Sequence, residues 1–187
     1  MLSTTRAAAL RSSSALVSGV ARPSLYARSY AVGQNLLEGK ANLKDDSGKD
    51  ISLQDLFKGK KVVIFGLPGA YTPVCTTRHV PLYVEKAPQF KAKGVDTIAC
   101  VSVNDPFVMK AWGESLKAGE AVKMLADWDG SFTKLVEKEL DLSAAGLGKR
   151  CKRYALVVDN GKIVKENVEN APNDLTITAP DHVLSQL

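Results

Sequence analysis

From residue 61 onward the chain alternates short β-branched runs with stretches of helical pattern, and this alternation limits its fold more than any other feature of the 187 residues. KKVVIFGL is brief and apolar, bounded by Lys on one side and Pro-Gly on the other, as a strand buried on both faces should be. A helical stretch is expected from about Cys75 to Lys93, with Gly94 as its stop. VDTIACVSV reads as a second buried strand. Asn104-Asp105-Pro106 then caps and opens a helix over DPFVMKAWGESLK, with Pro where the first turn needs no N–H. VKMLAD is a shorter strand, and SFTKLVEKEL is expected to be a helix capped by Ser131. KRYALVVDNGKIVKENV holds two strand patterns joined by Asn160-Gly161, a strong signal for a tight hairpin. APDHVLSQL closes the chain as a short helix. The order predicts an α/β fold: a central mixed β-sheet flanked by helices, with a C-terminal β-hairpin and closing helix. Ligands of such sheets bind beyond the carboxyl ends of the strands, and Cys75 lies at that end of the KKVVIFGL strand.

The net charge of +5 raises the question of a nucleic-acid or membrane partner, and its distribution answers it. Arg6, Arg11, Arg22 and Arg28 all fall within residues 1–33, which hold none of the acidic residues, so the remainder is close to neutral. Neither partner is expected. That first stretch is basic, acid-free and rich in Ser, Thr and Ala, the composition of a mitochondrial transit peptide. Its apolar run is too interrupted for a secretory signal. With Arg28-Ser29-Tyr30 before Ala31, residues 1–30 are expected to be removed on entry to the matrix, leaving a single domain over 31–187. There is no apolar run of the ~20 residues that a membrane helix requires. Three cysteines, Cys75, Cys100 and Cys151, are odd in number and widely spaced, which suits a reducing compartment rather than a disulfide framework. Cys75 and His79 alone are too few ligands for zinc, so no metal is expected.

The octapeptide PGAYTPVC carries the chemistry. A thiol is a useful nucleophile only as a thiolate, which a helix N-terminus favours through its free N–H groups and dipole. Cys75 is placed for this, with Pro73 in the first turn just ahead of it. Gly69 is expected to let the chain turn sharply after the strand, and Thr72 to bring its hydroxyl back to the sulfur. Taken singly, each residue has a plainer reading: a buried Cys, a turn Thr, loop prolines and a solvated strand arginine. Their joint spacing between a strand and a helix favours the reactive one.

Pro68, Thr72 and Cys75 form the pattern Pro-x-x-x-Thr-x-x-Cys. Together with PGAYTPVCTTRHVP, KAKGVDTIACVSVNDPFVMKAWG and RYALVVDNGKI, it resembles the type II peroxiredoxins, a group that includes mitochondrial atypical members. The resemblance runs from about residue 50 to the C-terminus and implies a thioredoxin-like fold. It implies that Cys75 is the peroxidatic cysteine, that Thr72 orients the peroxide and that Pro68 shields the sulfenate. Arg153 matches the active-site arginine, a permanent cation suited to thiolate and developing oxyanion. His79 matches a position usually held by His.

Cys100 is either an inert core residue or, lying 25 residues after Cys75, the counterpart of the second cysteine of plant-type members. Cys151 stands two residues before Arg153; on a regular strand the two would share a face about 7 Å apart, and the thiol would be acidified as a redox partner or glutathionylation site, whereas if residues 146–151 are loop this parity does not apply. Animal members carry a resolving cysteine shortly before the final Ala-Pro, where LTITAP holds Ile177. An external thiol is therefore expected to resolve the sulfenate: glutathione with glutaredoxin, or thioredoxin. The resemblance implies hydrogen peroxide and alkyl hydroperoxides as substrates, no cofactor (metal, haem or flavin), and a homodimer. Two rival readings are a disulfide oxidoreductase, whose second cysteine is replaced here by Arg78, and a redox-sensing or scaffold module.

Overall fold

The computed structural model describes residues 32–187; the expected transit segment, residues 1–30, lies outside the described residues. β1 (Leu43–Asp45) and β2 (Asp50–Ile51) make an N-terminal hairpin, followed by α1 (Leu53–Phe57) and β3 (Lys61–Gly66). Pro73 and Val74 begin a helix that passes through a π-helical turn, Cys75–His79, into α2 (Val80–Ala92). β4 (Thr97–Ser102), α3 (Pro106–Ser115), β5 (Lys123–Ala126) and α4 (Ser131–Leu135) come next. The chain closes with β6 (Glu139–Leu142), β7 (Gly148–Cys151), β8 (Tyr154–Asp159), β9 (Lys162–Val168) and α5 (Pro180–Ser185).

Seven strands form the main sheet in the order β2-β1-β5-β4-β3-β8-β9. β3, β4 and β5 run parallel, while β8 and β9 add antiparallel on one side and β1 and β2 on the other, so the sheet is mixed as expected. The period of two along β3 divides the core. Val63, Phe65 and Leu67 pack with Tyr83, Phe90, Trp112 and Val183 from α2, α3 and α5. Val62 and Ile64 face Leu53, Phe57 and Phe132 from α1 and α4. No described helix is long and apolar enough to cross a membrane.

Asn160 and Gly161 take φ of 45° and 83°, and Asp159 pairs with Lys162, the two-residue hairpin that the dipeptide predicts. Asp105 caps α3 by accepting from the amides of Phe107 and Val108. The π turn has a cause in Pro81, which lacks the N–H that would bond the Thr77 carbonyl and whose ring crowds it. The Val80 N–H reaches back to the Cys75 carbonyl instead.

Two local expectations are corrected. The helix expected over SFTKLVEKEL ends at Leu135: Glu137 adopts a φ of 56°, the Lys138 N–H bonds the Thr133 carbonyl, and Glu139–Leu142 pairs with Gly148–Cys151 as a separate two-stranded sheet. The Lys138 ammonium pairs with Glu166 on β9 at 2.5 Å, an ion pair distant in sequence that anchors the small sheet to the large one. Nor does Ser131 cap α4. The Asp127 carboxylate accepts from the amides of Phe132 and Thr133 at 2.9 and 2.8 Å, and Ser131 Oγ accepts from the Asn42 amide.

Candidate active site

β3 delivers the chain into the loop Leu67–Thr72, and the helix beginning at Pro73 puts Cys75 in its first turn. Pro73 has no N–H, and those of Val74 and Cys75 precede the first main-chain bond of the helix, from Thr76 N–H to the Thr72 carbonyl at 3.0 Å. Arg153 enters from the neighbouring strand. Because Gly66 pairs with Tyr154, the residue before β8 stands opposite the start of the loop. Cys75 has no exposed surface and Arg153 is 2% exposed.

The Arg153 guanidinium makes four hydrogen bonds. Nη2 donates to Cys75 Sγ at 3.3 Å and to the Pro172 carbonyl at 2.7 Å, and Nε also reaches the Pro172 carbonyl at 3.2 Å. Nη1 lies 2.9 Å from His79 Nδ1. Arginine can only donate, so Nδ1 accepts and the ring proton sits on Nε2, which donates to the Thr178 carbonyl at 3.3 Å. Burial, aided by the Arg153 charge, lowers the His79 pKa to about 3, so the ring is neutral. Tyr83 Oη donates to the same Thr178 carbonyl at 2.9 Å, and the Phe65, His79 and Tyr83 rings pack against one another.

Behind them the Glu169 carboxylate accepts from the amides and hydroxyls of Thr176 and Thr178. Burial opposes its charge, but these four bonds hold its pKa below the usual carboxylate range. A chain of contacts thus runs from Glu169 through Thr178 and His79 to Arg153 and the sulfur. Sequence reasoning missed Glu169, Thr178 and Pro172, and no motif could have revealed them, since two act through main-chain carbonyls.

The His79 site predicts an acid limb of stability. The unfolded chain protonates this ring near pH 6.5 and the folded chain only near 3, so between those values the unfolded state binds the extra proton. The stability is complete above pH 6.5 and is lost as pH falls toward 3. His79→Asn, with an acceptor for Arg153 and a donor for Thr178, is expected to flatten this slope in urea midpoints measured from pH 7 to pH 4. An unchanged slope would contradict the assignment.

Thr72 Oγ1 donates to the Gly69 carbonyl at 2.9 Å rather than to the sulfur, leaving its oxygen lone pairs free to accept. Pro68 is buried and, with Tyr71, Thr72, Leu142, Leu147, Arg153 and Pro172, lines a cleft of about 430 Å³. In the turn after the strand the positive φ falls on Tyr71, at 60°, and not on Gly69. A Cβ at Gly69 would come within 2.9 Å of Arg150 Nη1, so a side chain there would have to displace that guanidinium.

The other cysteines lie apart from this chemistry. Cys100 is in the middle of β4 opposite Phe65, fully buried, and burial raises its pKa well above the ordinary thiol value. Cys151 corrects an expectation. β7 and β8 are not one regular strand: at Lys152 the chain passes from the small sheet to the large one. Cys151 therefore packs with Tyr154 and Leu156, while Arg153 turns toward Cys75. Its thiol donates to the Leu67 carbonyl at 3.0 Å, and burial, with Asp127 nearby, pushes its pKa up to about 12 rather than acidifying it. All three cysteines are free thiols.

A buried thiol at a helix start is thus gripped by a buried guanidinium that also lines the cleft. The redoxin family model matches residues 31–184. The chain belongs to the peroxiredoxins. It is 52% identical over 135 residues to the mitochondrial peroxiredoxin-2F of Oryza sativa, covering 72% of this chain and 68% of that one. It is 48% identical to peroxiredoxin-2C of the same plant, over 84% of this chain and 98% of the other. The crystal structure of reduced Prx3 in complex with hydrogen peroxide from Vibrio vulnificus superposes with a TM-score of 0.78, at 47% identity, over 84% of this chain and 99% of that one. The α/β thioredoxin-like fold is thereby established, and this peroxiredoxin is a thiol-dependent peroxidase of antioxidant type.

Proposed function

We propose that Cys75 is the peroxidatic nucleophile. Its thiolate attacks the terminal oxygen of hydrogen peroxide or an alkyl hydroperoxide; the S–O bond forms as the O–O bond breaks and that oxygen's proton passes to the leaving oxygen, giving water or alcohol and a sulfenate at Cys75 that takes a proton from solvent to become the sulfenic acid. Thr72 Oγ1, its own hydrogen directed at Gly69, accepts a hydrogen bond from the peroxide O–H, and Arg153 stabilises first the thiolate and then the charge leaving on oxygen. Pro68 covers the sulfenate. The observation that carries this reading is the 3.3 Å contact between Arg153 Nη2 and Cys75 Sγ in a site closed to bulk solvent.

Resolution is external in this reading. The thiol of Cys100 lies within the sheet and that of Cys151 is committed to the Leu67 carbonyl, so glutathione condenses with the sulfenate, releasing water, and glutaredoxin frees Cys75; thioredoxin is the alternative reductant. The mature single domain spans 31–187 and works in the mitochondrial matrix, in keeping with the basic N-terminal segment and the mitochondrial relative. Peroxide consumption with thioredoxin and with glutaredoxin plus glutathione, side by side, tests the recycling. Intact-mass analysis after peroxide should show a sulfenate or mixed disulfide at Cys75; a Cys75–Cys100 or Cys75–Cys151 disulfide in most molecules would reject it.

The chain pairs as a homodimer through a surface beside this site. Tyr71 in the loop and Phe107 at the start of α3 are 55% and 82% exposed, and the Ala70 amide bonds Asn104 just ahead of that helix. Phe107→Glu is expected to shift the sedimenting species from dimer to monomer at micromolar concentration. An unaltered dimer would place the interface elsewhere.

A further inference from the structure

The loop that presents Cys75 is held in a conformation it would not keep alone. Tyr71 sits at φ 60°, in the left-handed region that is costly for a residue with a Cβ. Two side chains with no part in the chemistry above converge on the loop. Asn104 Oδ1 accepts from the Ala70 amide at 3.1 Å, from Ser102 Oγ at 2.7 Å and from Arg150 Nη1 at 3.1 Å. Arg150 Nη1 also reaches the Val103 carbonyl at 3.2 Å, and its Nε the Leu147 carbonyl at 2.8 Å. The guanidinium lies so close to Gly69 that a Cβ there would displace it.

One planar group thus ties the segment after β4 to the β6–β7 hairpin and, through Asn104, reaches the loop before Cys75; the loop and the hairpin both line the cleft beside the thiol. Among the described residues Arg150 has no carboxylate within ion-pair distance. Its fork is directed at carbonyl and amide oxygens, a pattern suited to holding three segments in register rather than to neutralising charge.

We propose that Asn104 and Arg150 form a clamp that positions the Pro68–Thr72 loop for peroxide reduction. They are positioning residues, acting through Thr72, whose hydroxyl is oriented by the Gly69 carbonyl next to the clamped amide. The inference rests on Cys75 being the reacting thiol. Misplacing a reacting group by about 1 Å costs on the order of 10²-fold in rate, so a partly released loop should slow the reaction measurably.

The test is the second-order rate constant for Cys75 oxidation by hydrogen peroxide, measured in single turnovers of the full chain alongside urea unfolding. N104A and R150Q are each expected to slow oxidation about 10-fold or more. R150K should be no better than R150Q, because an ammonium cannot span three acceptors. N104D should stay within about threefold of the parent, since a carboxylate oxygen accepts from the same three donors and strengthens the bond to Arg150. The N104A/R150Q double variant should be no slower than the slower single variant, because both break one clamp. Unchanged rates in N104A and R150Q, N104D as slow as N104A, or single effects that multiply in the double variant would each overturn the clamp. Should N104A fail to fold, N104D and R150Q decide by the same criteria. A Cys75→Ser chain run in parallel separates the two claims: peroxide consumption surviving there overturns the nucleophile and the clamp with it. Inert Cys75→Ser with unaffected clamp variants overturns the clamp alone.

Discussion

Cys75→Ser is expected to lower peroxide turnover by at least ~10³-fold, to the level of the uncatalysed reaction with the reductant. Serine is nearly isosteric, so Arg153 keeps its bonds to Pro172 and His79 and the buried site keeps its shape. What is lost is the nucleophile, because a hydroxyl is not ionised near neutral pH even beside a guanidinium, and alkoxide oxygen has little reactivity toward the O–O bond. Cys100→Ser and Cys151→Ser should retain peroxidase activity, since neither sulfur touches Arg153 or the cleft. The comparison is made by peroxide consumption with a saturating thiol reductant, and by dimedone trapping of the sulfenate. Trapping at Cys100 or Cys151 in the Cys75→Ser chain would transfer the chemistry to another sulfur.

Arg153→Met should follow closely in size. Removing one preorganised donor from a developing oxyanion costs on the order of 10²–10³-fold, and the same residue also supports the thiolate. The substitution further leaves the Pro172 carbonyl and His79 Nδ1 without their donor in a buried site, at about 1–3 kcal/mol for each unsatisfied group. Arg153→Met should thus be slower and less stable together. Arg153→Lys should recover less than about tenfold of the rate, because one ammonium cannot serve sulfur, imidazole and carbonyl at once. Stopped-flow fluorescence suits the measurement, as Trp112 Nε1 donates to Thr76 Oγ1, the residue next to Cys75. A Met variant within about threefold of the parent would show that the buried cation is structural.

How far the site could be read in advance depended on how its parts are spaced along the chain. Pro68, Thr72 and Cys75 fall within eight residues between a strand and a helix, so their conjunction was visible. Arg153 is 78 residues from Cys75, and as one arginine among many it was identified only through the family resemblance. Glu169 and Thr178 had no local mark, and Asn104 looked like part of a helix cap; its bond to Ala70 links residues 34 positions apart. The side on which Cys151 lies stayed open in the sequence, because strand parity holds only along a continuous strand, and the passage from β7 to β8 interrupts one.

Local pattern determined strands β3, β4, β5, β8 and β9, the Asn160-Gly161 hairpin, the Asp105 cap and the place of Cys75 at a helix start, because each depends on residues within a few positions of one another. Only the tertiary structure decided which tautomer His79 adopts, what stands against Gly69, and that Cys151 faces away. Those outcomes depend on the register between β3 and β8 and on close contacts between distant segments, and neither leaves a periodicity in the sequence.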